Sequence, residues 1–208
     1  MYRLLAIVSA ALVAGGCGGG TGPKVAPTVE MATASALLDA ADLPDGYSVS
    51  PPDAAPEVST ASSPSVPGCD ALLNYFSEGA GPTAAESARF EAGGGGPFLA
   101  EELSDDSDVS QLGGKCGSFT DTDADGTTTA VTVAPVTDFP RLGDAEQVFS
   151  MNADGGTGDD AFRLSGFLVV VRVGPTTCTL VHFGQPGVDR AETETIARAA
   201  VAKIKRRQ

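Results

Sequence analysis

Five consecutive residues, Phe167-Leu168-Val169-Val170-Val171, are apolar on both faces of any strand they form. A strand points alternate side chains to opposite sides, so such a run belongs in the centre of a sheet that is covered on both faces. It lies within the β-rich stretch Ala161 to Val173, and a second such stretch, Thr177 to Phe183, follows across Gly174-Pro175. That pattern predicts a hairpin at the heart of the fold.

Other strands arrange themselves around this pair. Cys116 to Asp121 and Thr127 to Val133 flank Ala124-Asp125-Gly126, where Asp-Gly supplies the positive φ of a tight turn. Glu146 to Asn152 predicts a strand, followed by the acidic, glycine-rich stretch Asp154 to Asp160, read as a loop. Residues 84 to 91, with Ala88 and Phe90 on one face and Arg89 and Glu91 on the other, predict another, as do Phe98 to Leu103. The pair Asp45-Gly46 turns the chain into Tyr47-Ser48-Val49.

Helices are expected at Ala36 to Ala41, at Cys69 to Phe76, at Ser104 to Leu112, and at the C-terminus. In the last, Asp189 is the cap and Glu192 completes a capping-box spacing. Ile196, Ala197, Ala200, Val201 and Ile204 make one apolar stripe, and Lys203, Lys205, Arg206 and Arg207 suit the negative end of the helix dipole. The expectation is α+β: a single domain over residues 35–208, a mostly antiparallel central sheet of about six strands, and helices packed on it. Residues 50–67 hold five prolines among Ser and Ala and are expected to form a surface excursion, neither strand nor helix.

The chain opens with one cation, Arg3, then an apolar run from Leu4 to Ala14 that ends at Gly15-Gly16-Cys17. The run is far short of the roughly 20 residues of a spanning helix and reads as a signal peptide, residues 1–16. Val13-Ala14-Gly15-Gly16-Cys17 resembles the bacterial lipobox, with Ala14 where that pattern usually has Leu. The resemblance implies that Cys17 carries lipid, a palmitate-type acylation, and becomes the mature N-terminus. The competing reading is an ordinary secretory signal cut nearby. Residues 17–34 are rich in Gly, Thr, Pro and Ala and are expected to be a flexible tether.

The formal charge of −14 is unevenly spread: residues 17–189 hold 25 Asp or Glu against 6 Lys or Arg, while 190–208 hold 2 against 6. An acidic body repels phosphate backbones, so nucleic acid is not an expected partner. Few Lys, abundant Ala, Gly, Thr, Val and Asp, and no Trp fit a high-GC actinobacterial composition.

A Leu-Leu segment followed by Asp42-Leu43-Pro44-Asp45-Gly46-Tyr47, then Cys69-x-x-Leu72, Cys116-x-x-Phe119, Leu142-Gly143-Asp144-Ala145-Glu146, a Val-rich strand pair and an Ala-rich terminal helix resemble actinobacterial lipoproteins with a sensor-type domain. These are similar to the extracellular domain of PknH-type kinases. The resemblance runs from about Ser35 to Ile204 and implies an antiparallel sheet with a cleft for an unidentified ligand. This chain has no kinase portion. Outside the cell thiols pair. With Cys17 lipidated, Cys69, Cys116 and Cys178 remain, and the resemblance favours Cys69 with Cys116, closing a loop worth about 4 kcal/mol. Cys178 is then a small buried thiol, and Cys116 with Cys178 is the alternative.

Candidate chemistry is sparse. Asp121, Asp123 and Asp125 before Gly126 match the first half of a calcium loop, but its twelfth position is Thr132, and a solvated hairpin turn is the expectation. Glu101, Glu102, Asp105, Asp106 and Asp108 read as a solvated helix face. His182, the only histidine, has no Gly-x-Ser-x-Gly nucleophile to serve and reads as a packed or edge-strand residue. The Lys203 to Arg207 cluster suits either the helix dipole or anionic headgroups. The expected protein is a lipid-anchored, non-enzymatic ligand-binding or sensor-like domain on the extracytoplasmic face of the cell membrane, with no cofactor. A protein-interaction platform of the envelope is the alternative, and a hydrolase a distant one.

Overall fold

A computed structural model describes residues 36–50, 63–66, 69, 86–93, 96–105, 116–122, 126–158 and 161–208. Its strands are β1 (Tyr47–Val49), β2 (Ser63–Pro64), β3 (Glu86–Ala92), β4 (Phe98–Ser104), β5 (Ser118–Thr122), β6 (Thr128–Pro135), β7 (Ala145–Gly155), β8 (Phe162–Val173) and β9 (Thr176–Gly184), followed by helix α1 (Arg190–Lys205). All join one sheet in the order β1-β3-β4-β9-β8-β7-β6-β5-β2, and every pairing is antiparallel. The sheet has eight strands of three residues or more plus the two-residue β2, against about six expected. The two-residue edge strand β2 is too short to show a period.

β8 stands fifth of nine, and Leu168 to Val171 are buried on both faces. Val169 and Val171 join Leu99, Leu103, Phe90 and Leu180 beneath the α1 stripe of Ile196, Ala197, Ala200, Val201 and Ile204. Leu168 and Val170 face the other way, into a cluster with Phe119, Val131, Val133, Phe149, Met151, Val181 and Phe183. Cys69 and Cys116, both in that second cluster, are joined by a disulfide, whereas Cys178 keeps a buried free thiol on the helix face.

Several expectations need correction. Instead of a helix at Ala36 to Ala41 there is a single 3-10 turn, Ala40–Asp42. Ala36 and Leu38 plug the core, and the Leu38 amide is taken by a distant carboxylate, so no run long enough to offset helix nucleation is free. Ser104 ends β4 rather than opening a helix. β7 runs on to Gly155, so Asp154 sits in the ladder opposite Arg163, with a 2.5 Å ion pair, and not in the loop. Within the supposed excursion Ser63–Pro64 pairs with Thr122 and Asp121; proline is tolerated there because β2 is an edge. Asp189 caps α1 as expected by accepting from the Ala191 N–H, but Glu192 accepts the Tyr47 hydroxyl instead of completing a capping box. The leader, Cys17, the expected helix beyond Cys69, and Asp123, Asp125, Asp106 and Asp108 lie outside the described residues. Among the described residues no helix is long and apolar enough to cross a membrane.

Candidate functional site

β9 presents Cys178, Leu180 and His182 toward α1, and β4 sets Leu103, Glu101 and Leu99 beside them through the register pairs Leu103 with Cys178, Glu101 with Leu180, and Leu99 with His182. Glu101 and Glu102 are consecutive and both buried, on opposite faces of a strand flanked by β3 and β9. This overturns their reading as a solvated face. The run of two glutamates looked hydrated because their neighbours come from elsewhere in the chain.

Glu101 is 0% exposed. Its Oε2 accepts the Leu38 N–H at 2.5 Å and its Oε1 accepts the Cys178 thiol at 3.7 Å. Burial pushes its carboxyl up to about 7, opposed by those two hydrogen bonds. Burial, with the Glu101 charge beside it, also raises the Cys178 thiol well above its ordinary range, so this sulfur is a poor nucleophile.

His182 is also 0% exposed. Its Nε2 lies 2.8 Å from the Tyr47 hydroxyl and its Nδ1 2.8 Å from Thr193 Oγ1. Tyr47 donates to Glu192 at 2.9 Å, and Thr193 Oγ1 lies 3.1 Å from the Asp189 carbonyl. With a neutral imidazole, Tyr47, His182 and Thr193 bring one hydrogen each to four contacts. The bond from Tyr47 to a carboxylate is charge-assisted and takes the phenolic hydrogen. His182 must then donate from Nε2 to Tyr47 and accept from Thr193 at Nδ1. The contact left without hydrogen is the one to the Asp189 carbonyl, which already accepts the Thr193 N–H. Three of the four contacts, including both at the imidazole, are thus satisfied with His182 neutral, and burial holds that imidazole down to about 4. Burial and the Glu192 hydrogen bond raise the Tyr47 hydroxyl above its ordinary range.

This arrangement ties β1, β9 and the first turn of α1 together and leaves neither imidazole nitrogen free for substrate. Sequence reasoning named His182, named Glu101 only as part of a solvated helix face, and missed Tyr47 and Thr193 as partners of the imidazole. Thr193 left a trace: it sits three residues before Ile196, in phase with the apolar stripe, and a polar residue in that phase signals a buried partner.

Among the described residues an open groove of about 500 Å³ lies at the β1 edge, lined by Leu38, Asp39, Val49, Ser50, Ser87, Ala88, Arg89 and Phe90. Leu38, whose amide Glu101 holds, forms one wall. Lys203 braces the same wall from α1, donating to Asp39 at 2.8 Å and to Asp42 at 2.5 Å. Val49 is 67% exposed, the one large apolar side chain so exposed among the described residues. Arg89 has no ion-pair or hydrogen-bond partner for its side chain among them.

Of the calcium-loop candidates, Asp121 is buried in β5 opposite Thr129. Among the described residues no group of three or more His, Cys, Asp or Glu is placed to hold a metal ion. Lys203 and Lys205 are occupied within the fold, Lys205 donating to the Leu142 carbonyl at 3.1 Å, whereas Arg206 and Arg207 are exposed. Comparison with family models, with curated proteins and with solved structures finds no match to this chain.

Proposed function

We propose that the chain is an exported lipoprotein, anchored through Cys17 on the extracytoplasmic face of the membrane, whose domain binds a ligand without transforming it. The observation that carries the binding part is the open groove between Leu38, Val49 and the β3 segment Ser87 to Phe90. A groove with apolar side chains and, at its rim, Arg89, whose side chain has no ion-pair partner among the described residues, is what a binding site needs. The non-catalytic part draws on His182, whose two nitrogens are both engaged inside the fold. The anchor rests on the short apolar leader that ends at Cys17, and the sensor-like role on the resemblance to lipoproteins with a sensor-type domain.

The test is a fragment and metabolite screen by amide NMR on the isotopically labelled chain. Ligands are expected to shift the resonances of Val49, Ser50 and Ser87 to Phe90 together. Hits confined to another surface, or none at all, sink the groove reading. The anchor has its own check: labelled palmitate should enter the wild type and not Cys17→Ala, and a Cys17→Ala protein that stayed in the membrane fraction would overturn it.

A further inference from the structure

The geometry points to an extended peptide as the occupant of this groove, added as a strand to the edge of β3 that β1 leaves uncovered among the described residues, with apolar and acidic side chains at alternate positions. The inference rests on the groove reading and names the ligand class for it. Along β3 the backbone groups alternate sides. The Ala92 N–H donates to the Pro97 carbonyl, on the β4 side, while the Arg89 carbonyl accepts from Ser50, on the β1 side. Arg89 and Ser87 therefore turn their amide groups away from β4.

β1 ends at Val49, and Ser50 makes only half of the next rung: its N–H reaches the Arg89 carbonyl, with no reciprocal bond from the Arg89 N–H among the described residues. The Ser87 N–H and carbonyl likewise have no partner among them. Those three groups are the template that an incoming strand pairs with.

Side chains supply the selectivity. Phe90 pairs with Val49, and Ala88 lies two residues from Phe90 on the same face, so a peptide residue pointing that way meets Leu38, Val49, Ala88 and Phe90. Its neighbours point to the opposite face, shared by Ser87, Arg89, Glu91 and Glu102; there Arg89, whose side chain has no ion-pair partner among the described residues, is the group that a peptide carboxylate meets. Ser87 is small and exposed, so a backbone can approach closely.

A displayed random octapeptide library selected on the immobilised full chain tests this. The expected winners alternate apolar and Asp or Glu residues. On binding one of them, the Ser87 and Arg89 amides should become protected from exchange. Ser87→Pro removes a hydrogen that the β3–β4 ladder does not use, so this variant should keep the melting temperature and lose the peptide. Arg89→Glu should weaken binding by about fivefold or more and switch selection toward basic residues.

The strand inference is overturned if the library yields nothing, if winners methylated at alternate backbone nitrogens bind as well as the parents, or if Ser87→Pro binds unchanged. Fragments that still shift Val49 and Phe90 would then leave the groove reading standing. Silence in both screens removes both.

Discussion

The Tyr47 hydroxyl stands 2.8 Å from Nε2 of His182, across 135 residues of sequence, and joins the sheet's edge strand to an interior one beneath the first turn of α1. Tyr47→Phe deletes the only group that both satisfies the imidazole and reaches Glu192. A buried donor left without a partner costs about 1–3 kcal/mol, and the variant should lose that much in denaturant unfolding. In the wild type the imidazole ¹⁵N shifts should report the tautomer with hydrogen on Nε2. A hydrogen on Nδ1 would mean that the Tyr47 hydroxyl does not donate to Glu192.

Two of the buried titratable groups on the helix face, His182 and Glu101, act on stability with opposite sign. His182 takes its proton near pH 4 in the fold and 6.5 unfolded, so stability rises with pH over 4–6.5 on its account. Glu101 keeps its proton to about pH 7 in the fold and loses it at 4.5 unfolded, so stability falls over 4.5–7. Each slope is about 1.4 kcal/mol per pH unit, and the two cancel between 4.5 and 6.5. The wild type should show a plateau there. Glu101→Gln should unmask a rise and His182→Gln a fall. Flat profiles in both variants would refute the assignment.

Lys203 clamps the 3-10 turn to α1 through Asp39 and Asp42. Its side chain is only 12% exposed, whereas Asp39 is largely in solvent. Lys203→Met should cost about 1 kcal/mol. Hydrogen exchange should quicken at Asp42 and Leu43, whose amides close that turn. Unchanged exchange at those two positions would show that the clamp does not hold the groove wall.

Gly166 faces Phe183 across the β8–β9 ladder, and a Cβ there would collide with the His182 carbonyl oxygen and the Phe183 backbone. Gly166→Ala should therefore destabilise by about 1–3 kcal/mol. It should also shift the His182 ring resonances, because β9 must move. A neutral melting curve would show that the two strands separate more easily than their packing implies.

What was legible in the sequence follows how local its cause is. The central place of Leu168 to Val171, the hairpin at Gly174-Pro175 and the Asp189 cap each depend on near neighbours, and each stands where expected. Glu101 was misread because its partners, the Leu38 amide and the Cys178 thiol, lie 63 and 77 residues away. Tyr47, assigned to a strand and nothing more, meets Glu192 and His182 only through the sheet order. The groove was invisible for the same reason: it exists where β1 ends beside β3, and no periodicity marks the end of a three-residue strand.

The order of the strands has a kinetic side. From β5 to β9 each strand lies beside its sequence neighbour, so this meander closes short loops and needs no long excursion of the chain. The junction of β4 with β9 brings together residues such as Leu103 and Cys178, and its loop-closure entropy must be met before it gains contacts. The meander should therefore be the early-forming half, with β1, β3 and β4 docking onto a β9 already in place. Glu101, Tyr47 and the groove all belong to the late half. Truncations at Leu99 or Leu103 should then quicken unfolding while leaving the refolding rate nearly unchanged, so the time for which the binding edge exists would be set by how often that half lets go.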